Sequence, residues 1–156
     1  MSSATFIQWQ NPLTKMISAP GGVRVSDSLK QAEKNLAEIR DPCLVDVDKQ
    51  QDQLDQLSSQ GGDNPTEEVK REIYDRSNEV YAVAGVFGLD DLGAAAFSLC
   101  ELTDRLRTRG LWSREAVDVH LAAFKLLRNA EPGVDHSSVV NGLEKLTNKI
   151  APQNEG

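Results

Sequence analysis

Few residues in this chain are of a type that does chemistry, and their spacing narrows the field further. There are two histidines, His120 and His136, and two cysteines, Cys43 and Cys100. At about 100° per residue, His120 shares one helix side with Val117, Leu121 and Phe124, which predicts a half-buried imidazole bonded to a neighbour rather than a catalyst. His136 stands in a polar turn just ahead of an apolar-periodic segment, the place of a surface or capping residue. Cys43 and Cys100 lie outside any C-x-x-C pair, so they read as small core thiols of a reducing compartment, with neither a zinc site nor a disulfide framework. Asp75 and Asn78 are three residues apart and therefore neighbours on a helix face. Such a pair arises on an ordinary solvated face. The chain has no Gly-rich phosphate loop, no H-E-x-x-H and no G-x-S-x-G. No catalytic set, no metal site and no cofactor are expected.

Charge and composition exclude further classes. The 156 residues hold 17 Lys+Arg against 24 Asp+Glu, a net charge of −7. Without a basic cluster, phosphate contacts cannot supply the affinity on which nucleic-acid binding rests, so no nucleic-acid partner is expected. The apolar segments are short and broken by charge, well under the roughly 20 residues needed to cross a bilayer. The N-terminus lacks a basic region followed by an apolar stretch, which argues against a secretory signal. A soluble, cytoplasmic domain without a membrane partner is expected.

The elements that would position these residues are helical throughout. Residues 1–24 carry Pro12, Pro20, Gly21 and Gly22 without apolar periodicity, yet Phe6, Ile7 and Trp9 suit an arm packed on the rest rather than a solvated tail. From a cap at Ser26 or Asp27, Leu29, Ala32, Leu36, Ile39 and Cys43 recur at steps of three and four, and Val47, Leu54 and Leu57 continue the stripe. Pro42 must kink that helix or start a new one. The Asp/Gln run between Asp48 and Gln60 reads as a solvated helix face, and Ser58–Asp63 as a turn-rich linker. Asn64 as cap and Pro65 in the first turn open a second helix with Val69, Ile73, Val80, Val83, Ala84 and Phe87, ending or bending at Gly88. Leu89, Leu92, Ala96, Leu99, Leu102 and Leu106 make a third, stopped at Gly110. Ser113 opens a fourth with Val117, Leu121, Phe124 and Leu127, broken at Glu131, Pro132 and Gly133. A last helix from about Ser137 carries Val140, Leu143, Leu146 and Ile150. No segment alternates as a strand does, so the fold class is all-α. The expected architecture is an antiparallel four-helix bundle over 25–151, with an arm (1–24), an additional C-terminal helix inside the bundle region and a short tail (152–156).

The stretch from Ile73 to Leu106 resembles the histidine-containing phosphotransfer domains of bacterial two-component signalling. That family carries a helix with His-x-x-Lys/Arg-Gly, then small residues, an aromatic-Gly step and a second helix completing a hairpin. Ala84, Gly85, Phe87, Gly88 and Leu89 match the second part, and the resemblance covers about the central half of the chain. At the chemistry the chain departs: Asn78 stands where the family has its phosphoacceptor histidine, Tyr81 where it has Lys or Arg, and Ala82 where it has the first glycine. An imidazole nitrogen has a free lone pair to attack an aspartyl phosphate, whereas the amide lone pair is delocalised into its carbonyl. Asn78 can hydrogen-bond a phosphoryl group but cannot carry it.

Helix geometry puts Ile73, Val80, Val83 and Phe87 on one side of the second helix and Asn78 roughly opposite, flanked by Ala82 and Gly85. Asn78 is therefore expected to face solvent. A glycine costs about 1 kcal/mol inside a helix, so Gly85 on this face asks for a reason, and close approach of a partner backbone is one. The resemblance thus implies a degenerate phosphotransfer module of a phosphorelay. It would act by binding the receiver domain of a response regulator, or a histidine kinase, through Tyr74, Asp75, Asn78, Tyr81, Ala82 and Gly85. Two alternatives stand beside it: a receiver phosphatase using Asp75 and Asn78, whose spacing resembles the acid and amide with which some receiver phosphatases align an attacking water, and a generic helical adaptor.

Overall fold

Apolar residues spaced three and four apart dominate the sequence, and helices follow from them. The structure, a computed structural model, describes residues 24–131 and 133–152. Among these residues there are five helices and no strand: α1 (Val25–Gly61), α2 (Glu67–Val86), α3 (Asp90–Thr108), α4 (Arg114–Arg128) and α5 (Ser137–Ile150). The expected all-α class is observed. The expected arm with Phe6, Ile7 and Trp9 lies outside the described residues, apart from Arg24 at its end.

The chain divides into two compact units between Ile39 and Arg40. In the first, the described residues are the N-terminal part of α1. Its apolar stripe, expected to be buried, faces solvent: Leu29 is 59%, Leu36 43% and Ile39 50% exposed. The helix begins at Val25, ahead of the expected caps, and Asp27 falls in its first turn.

The second unit holds the core. Val47 and Leu54 of α1 join Ile73, Val80 and Ala84 of α2, the Leu92–Leu106 residues of α3, Val117, Leu121, Phe124 and Leu127 of α4, and Leu143 of α5. α3 touches α2, α4 and α5 and is buried on more than one side. Its small residues allow this: a Cβ added at Gly93 would meet the Ala84 methyl at 3.5 Å, so the two backbones run close. Pro42 lies inside α1, which continues through it, so no new helix starts there. The bond lost is the one to the Glu38 carbonyl, and both residues are exposed, where that group stays solvated.

Several boundaries differ from expectation for local reasons. α1 runs to Gly61, so the linker begins only at Gly62, and the cap of α2 is Thr66, whose Oγ1 accepts from the Val69 amide at 3.3 Å. Pro65 precedes that cap, buried, instead of occupying the first turn. Gly88 and Gly110, both at φ +65°, close α2 and α3 as expected. The residue after each returns its amide to the helix, Leu89 to Ala84 O and Leu111 to Leu106 O, each at 2.9 Å. A side chain at either glycine would be strained there. Ser113 caps α4 through Oγ and the Ala116 amide.

The Asp/Gln run is not simply a solvated face. Gln51 and Ser58 are buried, and the run supplies most of the polar links from α1 to its neighbours. Arg76 of α2 donates to Gln50 at 2.7 Å and to Gln53; Lys125 of α4 pairs with Asp55 at 2.5 Å and Arg128 with Asp48 at 2.9 Å; Ser58 donates to Asp118 at 2.5 Å.

Candidate functional site

α2 buries Ile73, Ser77, Val80 and Ala84, with Val83 and Phe87 half-buried. A stripe at that phase leaves the opposite side of the helix to solvent. Asp75, Asn78, Tyr81, Ala82 and Gly85 are all exposed, and Tyr74 is half-buried with its carbonyl 3.8 Å from the Cys100 thiol. A Cβ added at Gly85 would meet nothing within 4 Å, so no internal packing requires this glycine.

The six expected face residues do not form one cluster. Tyr81 and Gly85 line a shallow, mostly apolar groove of about 410 Å³ toward α3, completed by Leu89, Asp90, Gly93, Ala94 and Phe97. Asp75 lies in a different groove, a charged one shared with Gln50, Arg71, Glu72 and Arg76. By helix angle Asn78 falls between the two, on the crest of α2 with Ala82. The aromatic wall is ordered by a tilted ring contact, Tyr81 to Phe97, with centroids 5.7 Å apart and planes at 46°. Both rings stay about half exposed, Tyr81 at 44% and Phe97 at 50%.

Phe97 was not singled out from the sequence, although its signal is there. Asp90, Gly93, Ala94 and Phe97 share one face of α3 at steps of three, one and three, and an aromatic ring among small residues marks an edge rather than a core. The groove is lined by three small residues, two rings, Leu89 and one carboxylate. Such a surface suits contact with another protein's backbone and apolar side chains.

The histidines lie elsewhere. His120, expected to be half-buried, is fully buried. Its Nδ1 donates to the Ala116 carbonyl at 2.8 Å, which leaves Nε2 as acceptor for the Ser98 hydroxyl at 2.9 Å; Ser98 in turn lies 3.1 Å from Thr147 Oγ1. Burial pushes the His120 pKa below its ordinary value, opposed only by the bond to Ala116. A serine within hydrogen-bond reach of a histidine is the geometry of an activated nucleophile. Here, with Ser98 at 7%, His120 at 0% and Thr147 at 1% exposure, it is a polar network sealed in the core. His136 occupies the cap position of α5 without a side-chain cap bond and is more enclosed than a surface residue, its Nδ1 3.7 Å from Asp91. The neighbouring Asp135 accepts from the Ser137 amide at 2.9 Å instead, and that bond holds its carboxyl below the usual range.

Cys100 is buried and Cys43 half-buried, and neither forms a disulfide. Burial, reinforced by Asp75, pushes the Cys100 thiol up to about 12. Among the described residues no group of three or more His, Cys, Asp or Glu side chains could hold a metal ion, and no helix is long and apolar enough to cross a membrane. Compared with protein-family models, with curated proteins and with solved structures, the chain finds no match.

Proposed function

We propose that this chain is a phosphotransfer-like binding module, a degenerate relative of the histidine-containing phosphotransfer domains. In this reading α1 to α4 make the four-helix bundle and α5 is the additional helix. It docks in the cytoplasm on the receiver domain of a response regulator, or on a histidine kinase, and accepts no phosphate. One observation carries the reading: Asn78, at the acceptor-equivalent position, stands exposed on the crest of α2 with Ala82 and Gly85 open beside it. A receiver backbone could approach there, with the Tyr81–Phe97 groove receiving an apolar side chain. The amide of Asn78 would hydrogen-bond the partner where a histidine would take its phosphoryl group.

The test is to mix the purified protein with phosphorylated and unphosphorylated receiver domains from the source cell, following both complex formation and label transfer. A complex with no phosphate on the protein is expected, weakened at least about tenfold by Gly85→Arg, which places a charged side chain at a desolvated contact. Acid-labile phosphate on the wild-type protein, or binding untouched by both Ala82→Arg and Gly85→Arg, would overturn the proposal.

A second reading draws on the exposure of Asp75 and Asn78 one turn apart. The pair would align a water for removal of phosphate from the receiver. Receiver dephosphorylation that slows with Asn78→Ala would favour it, and an unchanged rate would end it.

A further inference from the structure

The N-terminal part of α1 carries an apolar seam that stays exposed among the described residues. Val25, Leu29, Ala32, Leu36 and Ile39 follow one another at steps of four, three, four and three, the spacing of a and d positions in a heptad. All five are exposed, Val25 at 76%. On the outer side of the same segment Lys34 pairs with Glu38 at 3.8 Å, and Gln31 donates to Asn35, at the flank of the seam, at 2.8 Å. At about 100° per residue Leu36 and Leu54 stand on the same side of α1, so the seam lies on the side that Val47 and Leu54 bury farther along, yet its own residues stay exposed. An isolated helix of this length is marginal in water, so an apolar seam along it needs a partner helix.

We propose that this segment pairs with the same segment of a second copy of the chain, as a parallel, in-register coiled coil. The 3-4 spacing selects another helix with the same seam rather than a flat surface, because only such a helix keeps its knobs in register along the contact. Charge selects the orientation. With Leu29 and Leu36 as a and Ala32 and Ile39 as d, a parallel pair sets Ser28 against Glu33 and Asn35 against Arg40, with no like charges facing. An antiparallel pair layered on the same residues sets Glu33 against its own copy. Leucine at a with isoleucine and valine at d also admits more than two strands, so the number of chains is read from the measurement.

Sedimentation velocity of the full chain across a wide concentration range tests the association. A concentration-dependent dimer or higher oligomer is expected, with Leu36→Glu raising the dissociation constant at least about tenfold while the thermal unfolding of the core stays in place. Orientation is read in a Cys43→Ser background under mild oxidation: Leu36→Cys should cross-link to its own copy, and Lys34→Cys, on the outer side, should not. A chain that stays monomeric at every concentration, an oligomer indifferent to Leu36→Glu, or equal cross-linking at positions 34 and 36 would each overturn the proposal.

Discussion

The hydroxyl of Ser98 on α3 donates to Nε2 of His120 on α4 across 2.9 Å, inside a core where His120 has no exposed surface. Thr147 of α5 lies 3.3 Å from the same nitrogen, so one imidazole ties three helices together. A buried polar network of this kind specifies how helices dock, because any other docking leaves its members unpaired in an apolar interior.

The network makes stability depend on pH with a defined sign. The folded pKa of His120 lies below its ordinary 6.5, and burial is the cause. Above that value both folded and unfolded chains carry a neutral imidazole, and the contribution is constant. As the pH falls through 6.5 only the unfolded chain takes up the proton, so stability drops until the folded pKa is reached. Urea unfolding should therefore give a lower midpoint at about pH 5.5 than at about pH 7.5. His120→Leu should lose about 1–3 kcal/mol at neutral pH and flatten that dependence. A midpoint drop in His120→Leu as steep as in the wild type would assign the effect to other groups.

Two leucines of α1 that belong to one stripe by spacing should answer truncation differently. Leu54 is fully buried, and Leu54→Ala should cost about 2–5 kcal/mol through lost transfer energy and the cavity left behind. Leu36 is 43% exposed, and Leu36→Ala in dilute solution should stay within about 0.5 kcal/mol of wild type. Equal losses would mean that α1 is packed along its whole length.

Glycines within helices separate in the same way. At Gly85 a methyl group meets open space, so Gly85→Ala should stabilise by up to about 1 kcal/mol through helix propensity. At Gly61 the new Cβ would stand 2.8 Å from the Pro65 Cβ, so Gly61→Ala should destabilise despite the same propensity gain. Thermal melts of the two variants should move in opposite directions.

Thiol labelling gives a direct check on packing. Native protein should react quickly with a maleimide at half-buried Cys43 and not at Cys100, whose thiol is held near 12 beneath the helix surface. Denaturant should release the second site. Rapid labelling of Cys100 in the native state, read by peptide mass mapping, would show α3 opening locally.

Much of this molecule is local and therefore legible along the chain. The angle per residue places Val117, Leu121 and Phe124 on one side of α4 and Asn78 opposite Ile73 on α2, whatever the surroundings. The stops at Gly88 and Gly110 follow from a left-handed turn that side chains resist. What periodicity cannot say is what stands across from a stripe. The residues 25–39 and 47–58 of α1 look alike as amphipathic sequence, yet the first set stays exposed while Val47 and Leu54 join residues of α2 and α4 in the core. For the same reason Gln50, Gln53 and Asp55 became partners of Arg76 and Lys125 rather than a solvated face. His120 found Ser98 and Thr147 at sequence separations of 22 and 27, and Tyr81 gained Phe97 as the far wall of a groove. Helix formation is decided within a few turns of chain, whereas burial, pKa and binding surface depend on which turns are brought together.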